Sequence, residues 1–212
     1  MLGFYDYTVV LTYLGVCSSV IGMCFAVSQD YLIAIICLLV SGLCDMFDGM
    51  VARTKKNRTE MEKKNGIQLD SLADVICFGA FPALIGYCLG MECKYSFIFA
   101  VAGAVYVLCA IIRLAYFNVT EEERQQSTDG KRRFYQGLPV TTAALIFPLV
   151  FCFRGLLASK FPFVYAIVLI LTAVCFITNF KVKKFGLKGN LFLMGIGILI
   201  FAVLLALKLN GI

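Results

Sequence analysis

Histidine is absent from the 212 residues of this chain. Its absence excludes Ser-His-Asp and Cys-His catalysis, as well as zinc or haem sites that need a histidine ligand. The ten cysteines form no Cys-x-x-Cys pair and lie mostly in apolar stretches, so we interpret them as small apolar side chains. Any chemistry must therefore use carboxylates, Arg, Lys, hydroxyls, a thiol or a bound metal ion.

Charged residues are also scarce, at 15% of the chain, whereas 61% is hydrophobic and the mean hydropathy is +0.89. This composition excludes a soluble domain and indicates an integral membrane protein. Apolar stretches of about spanning length cover residues 7–28, 31–53, 66–89, 95–118, 139–153, 161–180 and 191–207. We predict an all-α, polytopic helical bundle of about seven transmembrane helices (range six to eight). It forms one domain over residues 1–212.

Lys and Arg concentrate in the three loops 54–65, 119–138 and 181–190. The loops on the other side carry only Lys94, Arg154, Lys160 and Lys208. The positive-inside rule then places the three basic loops and the N-terminus in the cytoplasm, and the C-terminus outside. Because the sequence shows no signal peptide or organelle address, we expect a multi-pass protein of a prokaryotic plasma membrane.

Four aspartates, Asp45, Asp48, Asp70 and Asp74, are the acidic residues that fall inside these apolar stretches. Spacings of three and four place both members of each pair on one helix face. The first pair ends a helix that descends to the cytoplasmic side and the second begins the next helix, so the pairs should meet at one depth. Together they would form a cage for hard divalent cations, and Gly49, without a Cβ, would let a large group approach.

The complete pattern from Asp45 to Asp74 is D-x2-D-G-x2-A-R-x12-G-x3-D-x3-D. It resembles the signature of the CDP-alcohol phosphotransferases, membrane enzymes that move a phosphatidyl-type group from a CDP-lipid to a hydroxyl. The family usually has a shorter spacing between the arginine and the second glycine, and the additional residues here lie in a Lys-rich loop. The resemblance implies the CDP-alcohol phosphotransferase fold, with the motif region at 41–90 and further helices over 95–208.

Three further runs are similar to the phosphatidylserine synthase branch of that family. They are residues 69–75 followed by 78–83, residues 113–118, and residues 137–144. The resemblance implies transfer of a phosphatidyl group from CDP-diacylglycerol to L-serine, giving phosphatidylserine and CMP. It also implies contact with membrane lipids and a homodimer, and we expect no nucleic-acid partner.

The same resemblance assigns roles to residues. Two divalent cations, Mg²⁺ or Mn²⁺, would be held by Asp45, Asp48, Asp70 and Asp74, with Asp74 also the general base on the acceptor hydroxyl. The CDP-lipid would contact Asp48, Gly49, Ala52, Arg53, Gly66 and Asp70. Arg113 is the basic residue inside a span away from the motif, so we nominate it for the serine carboxylate or a lipid phosphate. Asn118 and Ser71 are its predicted polar neighbours.

Other functions remain open at this point. The same chemistry could use glycerol 3-phosphate, inositol phosphate or another alcohol, although a phosphorylated acceptor would need more cationic side chains than Arg113. A divalent-cation transporter also has carboxylates in its spans, but its ligands usually lie near the midplane of a repeated structure. A non-catalytic lipid-binding scaffold fits the hydrophobicity and leaves the paired carboxylates unexplained.

Overall fold

The computed structural model describes residues 3–127, 134–183 and 187–209, and these are almost entirely helical. The helices are α1 Val10–Val27, α2 Tyr31–Ala52, α3 Glu60–Asp74, α4 Phe81–Gly90, α5 Ser96–Ser127, α6 Ala143–Phe151, α7 Arg154–Leu157, α8 Phe161–Ile177 and α9 Leu187–Leu209. A π-helical turn, Val75–Ala80, joins α3 to α4, and 3₁₀ turns at Val140–Thr142 and Ala158–Lys160 precede α6 and α8. Strands β1 Phe134–Gln136 and β2 Lys181–Lys183 pair antiparallel.

The prediction of an all-α, multi-pass membrane protein is confirmed. Within the described part of the chain, five helical segments are long and apolar enough to cross a membrane: Val10–Val27, Tyr31–Ala52, Glu60–Gly90, Ser96–Arg124 and Arg154–Ile177. Two shorter apolar helices, Val140–Phe151 and Phe192–Ala206, coincide with the remaining predicted stretches. Lys131, Arg132, Arg133 and Lys184, which contribute to the predicted orientation, lie outside the described residues.

Helix α3 begins six residues earlier than the apolar pattern predicted, at Glu60 rather than Gly66. Thr59 and Glu62 form a capping box, in which the Thr59 hydroxyl accepts from the Glu62 N–H (3.2 Å) and the Glu62 carboxylate accepts from the Thr59 N–H (2.7 Å). This arrangement satisfies two backbone donors at the helix start. The prediction of a loop over 54–65 was therefore wrong for its second half, because hydrophobicity does not report a capped polar turn.

Helices α1 and α2 form a closely packed antiparallel hairpin. The Ser19 and Ser41 hydroxyls lie 2.8 Å apart, Ser41 also lies 2.9 Å from the Gly15 carbonyl, and the Ser18 hydroxyl donates to the Cys37 carbonyl at 3.0 Å. Small side chains allow this close approach, and buried hydroxyls join membrane helices where lipid offers no partner. The hairpin fixes α2, which carries the first aspartate pair, against α1.

The π-helical turn directly after Asp74 has a cause in the sequence. Pro82 has no N–H, so the Phe78 carbonyl cannot receive the usual bond from the residue four positions later. Instead the Phe81 N–H donates to the Ile76 carbonyl, and the Tyr106 hydroxyl of α5 donates to the Phe78 carbonyl at 2.7 Å. Turns of this kind are frequent at functional sites. Here the turn ties the end of α3 to α5.

Buried aromatic rings hold α5, α6 and α8 together. The rings of Tyr106 and Phe147 meet edge to face at 5.6 Å, and Phe147 and Tyr165 lie 5.0 Å apart. The chain entering α6 is fixed at Gly137, which has φ +71° and an N–H that donates to the Phe180 carbonyl at 2.8 Å. A side chain there would also meet the Phe176 carbonyl, so glycine suits both the backbone angle and the close approach.

Gly22 offers a test of the packing between α1, α2 and α4. A Cβ at Gly22 would lie 2.7 Å from the Cys37 Cβ and would collide with the Phe81 ring, whereas a Cβ at Gly195 in α9 would meet no atom within 4 Å. We expect Gly22→Ala to reduce stability by about 1 to 3 kcal/mol through overpacking, and Gly195→Ala to leave it unchanged. Thermal unfolding of both variants in detergent measures the difference. Equal melting temperatures would contradict the described helix contacts.

Candidate active site

Three of the four predicted aspartates form one cluster. Asp45 from α2 and Asp70 and Asp74 from α3 each place a carboxylate oxygen within 4.8 Å of the others. Asp74 is buried, Asp45 is half-buried and Asp70 is exposed. The structure therefore brings together the two helices as the spacing predicted. The cluster is most accessible on the side of Asp70.

Asp48 lies one turn from Asp45 and outside this three-residue group. Its side chain is buried, and its Oδ2 accepts a hydrogen bond from the Thr12 hydroxyl of α1 at 3.0 Å. The bond fixes the orientation of the carboxylate group. Thr12 was missed by the sequence reasoning, because nothing in the sequence identifies which face of α1 packs on α2.

The four aspartates have no basic partner among the side chains that the structure describes. No Lys or Arg nitrogen of those side chains lies within 4.0 Å of any of the four carboxyl groups. Burying carboxylates without a partner is costly, and a bound cation removes that cost. A set of carboxylate oxygens from rigid helices suits a hard divalent ion such as Mg²⁺ or Mn²⁺. The residues present therefore fit the predicted cofactor.

The residues predicted to contact the nucleotide differ in their surroundings. Gly49 is exposed, and a Cβ added there would meet nothing within 4 Å, so this part of α2 is open to a ligand. Ala52 is half-buried at the end of α2, and Arg53 is exposed just beyond it. Gly66 is instead covered, because an added Cβ would lie 2.7 Å from Nη2 of Arg58.

Two of the predicted acceptor residues are in contact. The Asn118 amide nitrogen of α5 lies 2.8 Å from the Ser71 hydroxyl of α3, next to Asp70. Arg113 is buried, with Nε donating to the Leu138 carbonyl at 3.3 Å and its guanidinium 5.3 Å from the centre of the Phe117 ring. Arg113 thus joins α5 to the chain that enters α6. The roles of these residues toward a substrate stay predictions.

An ion-pair network that the sequence reasoning missed anchors the loop between α2 and α3. Lys55 bridges the carboxylates of Asp6, at 2.7 Å, and Glu62, at 2.9 Å. The Tyr7 hydroxyl lies 3.1 Å from the Thr54 hydroxyl. Hydrogen bonds from Lys55 and Thr8 lower the pKa of Asp6 to about 2, so this carboxylate stays charged over the physiological range. The segment before α1 is thereby tied to the loop beside the aspartates.

The sequence profile described as CDP-alcohol phosphatidyltransferase matches residues 8–208, which is nearly the whole chain. The chain belongs to the CDP-alcohol phosphatidyltransferase family. The match includes both aspartate-bearing helices, so the cluster lies in the part of the chain that is common to the family.

Individual relatives are similar at moderate identity. A CDP-diacylglycerol–serine O-phosphatidyltransferase of Saccharomyces cerevisiae is 37% identical over 129 residues, covering 59% of this chain and 44% of that protein. A Helicobacter pylori protein of the same name is 31% identical over 194 residues, covering 87% of this chain and 74% of that protein. An archaetidylserine synthase of Methanothermobacter thermautotrophicus is 35% identical over 135 residues, covering 64% and 53%. The chain thus spans about half the length of the yeast and archaeal relatives.

Thr12 provides a test of whether Asp48 takes part in cation binding. We expect Thr12→Val to weaken Mn²⁺ binding severalfold because Asp48 loses the hydrogen bond that orients it, and Thr12→Ser to retain wild-type affinity. The control is Thr178→Val, since the Thr178 hydroxyl donates to the Val174 carbonyl at the end of α8. Mn²⁺ titration of the purified protein, followed by the electron paramagnetic resonance of free ion, measures all three. Identical affinities in Thr12→Val and wild type would contradict the role.

Proposed function

We propose that this protein is a metal-dependent phosphatidylserine synthase, which transfers the phosphatidyl group of CDP-diacylglycerol to L-serine. The observation that carries the proposal is the cluster of Asp45, Asp70 and Asp74, unpaired by Lys or Arg among the described residues and next to the open backbone at Gly49. Membership of the family supports the reaction type. The names of the relatives, all with serine as acceptor, support the choice of alcohol.

Two divalent cations bound by Asp45, Asp48, Asp70 and Asp74 would neutralise the diphosphate of the donor and make its phosphorus more electrophilic. Asp74 accepts the proton of the serine hydroxyl. The serine oxygen forms a bond to the phosphorus that carries diacylglycerol, and the bond from that phosphorus to the CMP oxygen breaks. Burial of Asp74 at the base of the cluster keeps bulk water from competing for this position.

The neighbouring residues orient the two substrates. Gly49 and Ala52 leave space for the cytidine nucleotide, and Arg53 pairs with a phosphate, with Gly66 on the facing helix. Ser71 and Asn118, which touch each other beside Asp70, contact the serine acceptor. Arg113, which is buried beside the chain that enters α6, binds the serine carboxylate or a lipid phosphate.

The site faces the cytoplasm in this proposal, with the N-terminus on the same side, in a plasma membrane of a prokaryotic cell. The basic loop next to the aspartates supports this orientation, since Arg53, Lys55, Lys56 and Arg58 all lie between α2 and α3. Such a loop also attracts the anionic donor and anionic lipids. The functional unit is a homodimer.

The reaction is tested by following CMP release from CDP-diacylglycerol by the protein in detergent, with and without Mn²⁺ or Mg²⁺. We expect release that requires serine and a divalent ion, and a loss of about a hundredfold or more in Asp74→Asn because the proton acceptor is removed. The control is Asp30→Asn, since Asp30 caps the opposite end of α2. It should retain wild-type activity.

Other outcomes of this assay distinguish the remaining possibilities. Release of CMP with glycerol 3-phosphate or inositol phosphate, but not with serine, would support the proposed site and contradict serine as the acceptor. Exchange of labelled CMP in the absence of serine would contradict direct attack by the hydroxyl, because it requires a covalent intermediate. If no acceptor supports CMP release and the protein carries a flux of divalent ions, the result would favour a divalent-cation transporter over an enzyme.

A further inference from the structure

Arg58 lies in the loop between α2 and α3, where the chain is longer than the usual family pattern. Its guanidinium rests on Gly66 of α3, with Nη2 2.7 Å and Cζ 3.8 Å from where a Cβ would stand. Arg58 therefore occupies the volume that a side chain at position 66 would take. It places a guanidinium against the helix backbone at Gly66.

That volume lies on the same face of α3 as the aspartate cluster. Gly66, Asp70 and Asp74 are spaced by four residues, so they follow one another along one side of the helix. Each step of four residues is about 6 Å along the axis. The Arg58 guanidinium is thus about one turn from Asp70, on the side where the cluster is exposed.

The Arg58 guanidinium is only partly hydrogen-bonded among the described residues. Nη2 donates to the Glu62 carbonyl at 3.3 Å, while Nε is shielded from solvent and has no hydrogen-bond partner within the described part of the chain. The nearby Glu62 carboxylate is already engaged by Lys55 and by the Thr59 N–H. A buried donor without an acceptor is costly, so it favours a ligand that brings acceptor oxygens.

We propose that Arg58 binds a phosphate of the cytidine diphosphate donor at the open edge of the aspartate cluster. The inference rests on the proposed function and adds a binding residue from the long loop. A guanidinium presents several donors in a planar fork, which matches phosphate oxygens better than the point charge of Lys. Arg58 faces the ligand from the α3 side, whereas Arg53 extends from the end of α2.

The test measures binding of CDP to the purified protein with saturating Mn²⁺, by calorimetry, and the KM for CDP-diacylglycerol. We expect Arg58→Gln to weaken CDP binding about tenfold or more and to raise the donor KM by a similar factor. Arg58→Lys should lose severalfold because the charge remains without the fork. The serine KM and the Mn²⁺ affinity should stay within about twofold in both variants, since neither ligand is held by Arg58.

The matched control is Lys56→Gln, which removes an exposed cation of the same loop. CDP affinity that is unchanged in Arg58→Gln, or reduced equally in Lys56→Gln, would overturn the proposal. So would a lower melting temperature with equal weakening of all ligands, because that result indicates a structural role for Arg58. If Arg58→Gln does not fold, Arg58→Lys decides, and unchanged CDP affinity in that variant overturns the proposal.

CDP binding needs no acceptor, so it separates this proposal from the proposed reaction. If the wild-type protein binds CDP through Arg58 but releases no CMP with serine, the Arg58 site is supported and serine as the acceptor is contradicted. If CMP is released with serine and CDP binds equally well without Arg58, the proposed reaction is supported and the role of Arg58 is contradicted.

Discussion

The central constraint on this structure is that two adjacent helices, α2 and α3, must hold several carboxyl groups close together although like charges repel. Asp45, Asp70 and Asp74 lie within 4.8 Å of one another, and the described residues supply no Lys or Arg to pair with them. Such a cluster is unfavourable by itself, so the surrounding protein must hold it in place, and the cations proposed above would offset its charge. This need explains why the packing around α2 and α3 uses so many specific polar contacts.

Those contacts act on the backbone on every side of the cluster. The Ser18, Ser19 and Ser41 hydroxyls join α1 to α2, and Thr12 orients Asp48. Beyond Asp74, Pro82 opens a π-helical turn that the Tyr106 hydroxyl closes from α5. At the other end of α3, the capping box and Lys55 fix the loop. Each contact restrains the angle at which an aspartate enters the site, which is what a rigid ligand set requires.

The aspartate cluster could be predicted from the sequence because helical periodicity alone puts Asp70 and Asp74 on one face, and hydrophobicity assigns their helix. The contacts of Thr12 and Arg58 could not, since they depend on which helix faces pack and on how a polar loop folds back. The start of α3 could have been predicted from Thr59 and Glu62, which have capping-box spacing. The prediction followed the apolar residues instead and placed the start at Gly66. The β1–β2 ladder is three residues long and lies beside the hydrogen bond from Gly137 to Phe180. It is too short to give an alternating strand pattern in the sequence.

The most direct measurement is the electron paramagnetic resonance spectrum of the purified protein loaded with Mn²⁺. The account predicts two bound ions per chain whose spectra show magnetic exchange, since paired ions in two-metal sites lie about 3.5 to 4 Å apart. It also predicts that Asp45→Asn abolishes the exchange while the protein stays folded. Absence of bound Mn²⁺, or a coupled spectrum that is unchanged in Asp45→Asn, would contradict the claim that these carboxylates form the metal site.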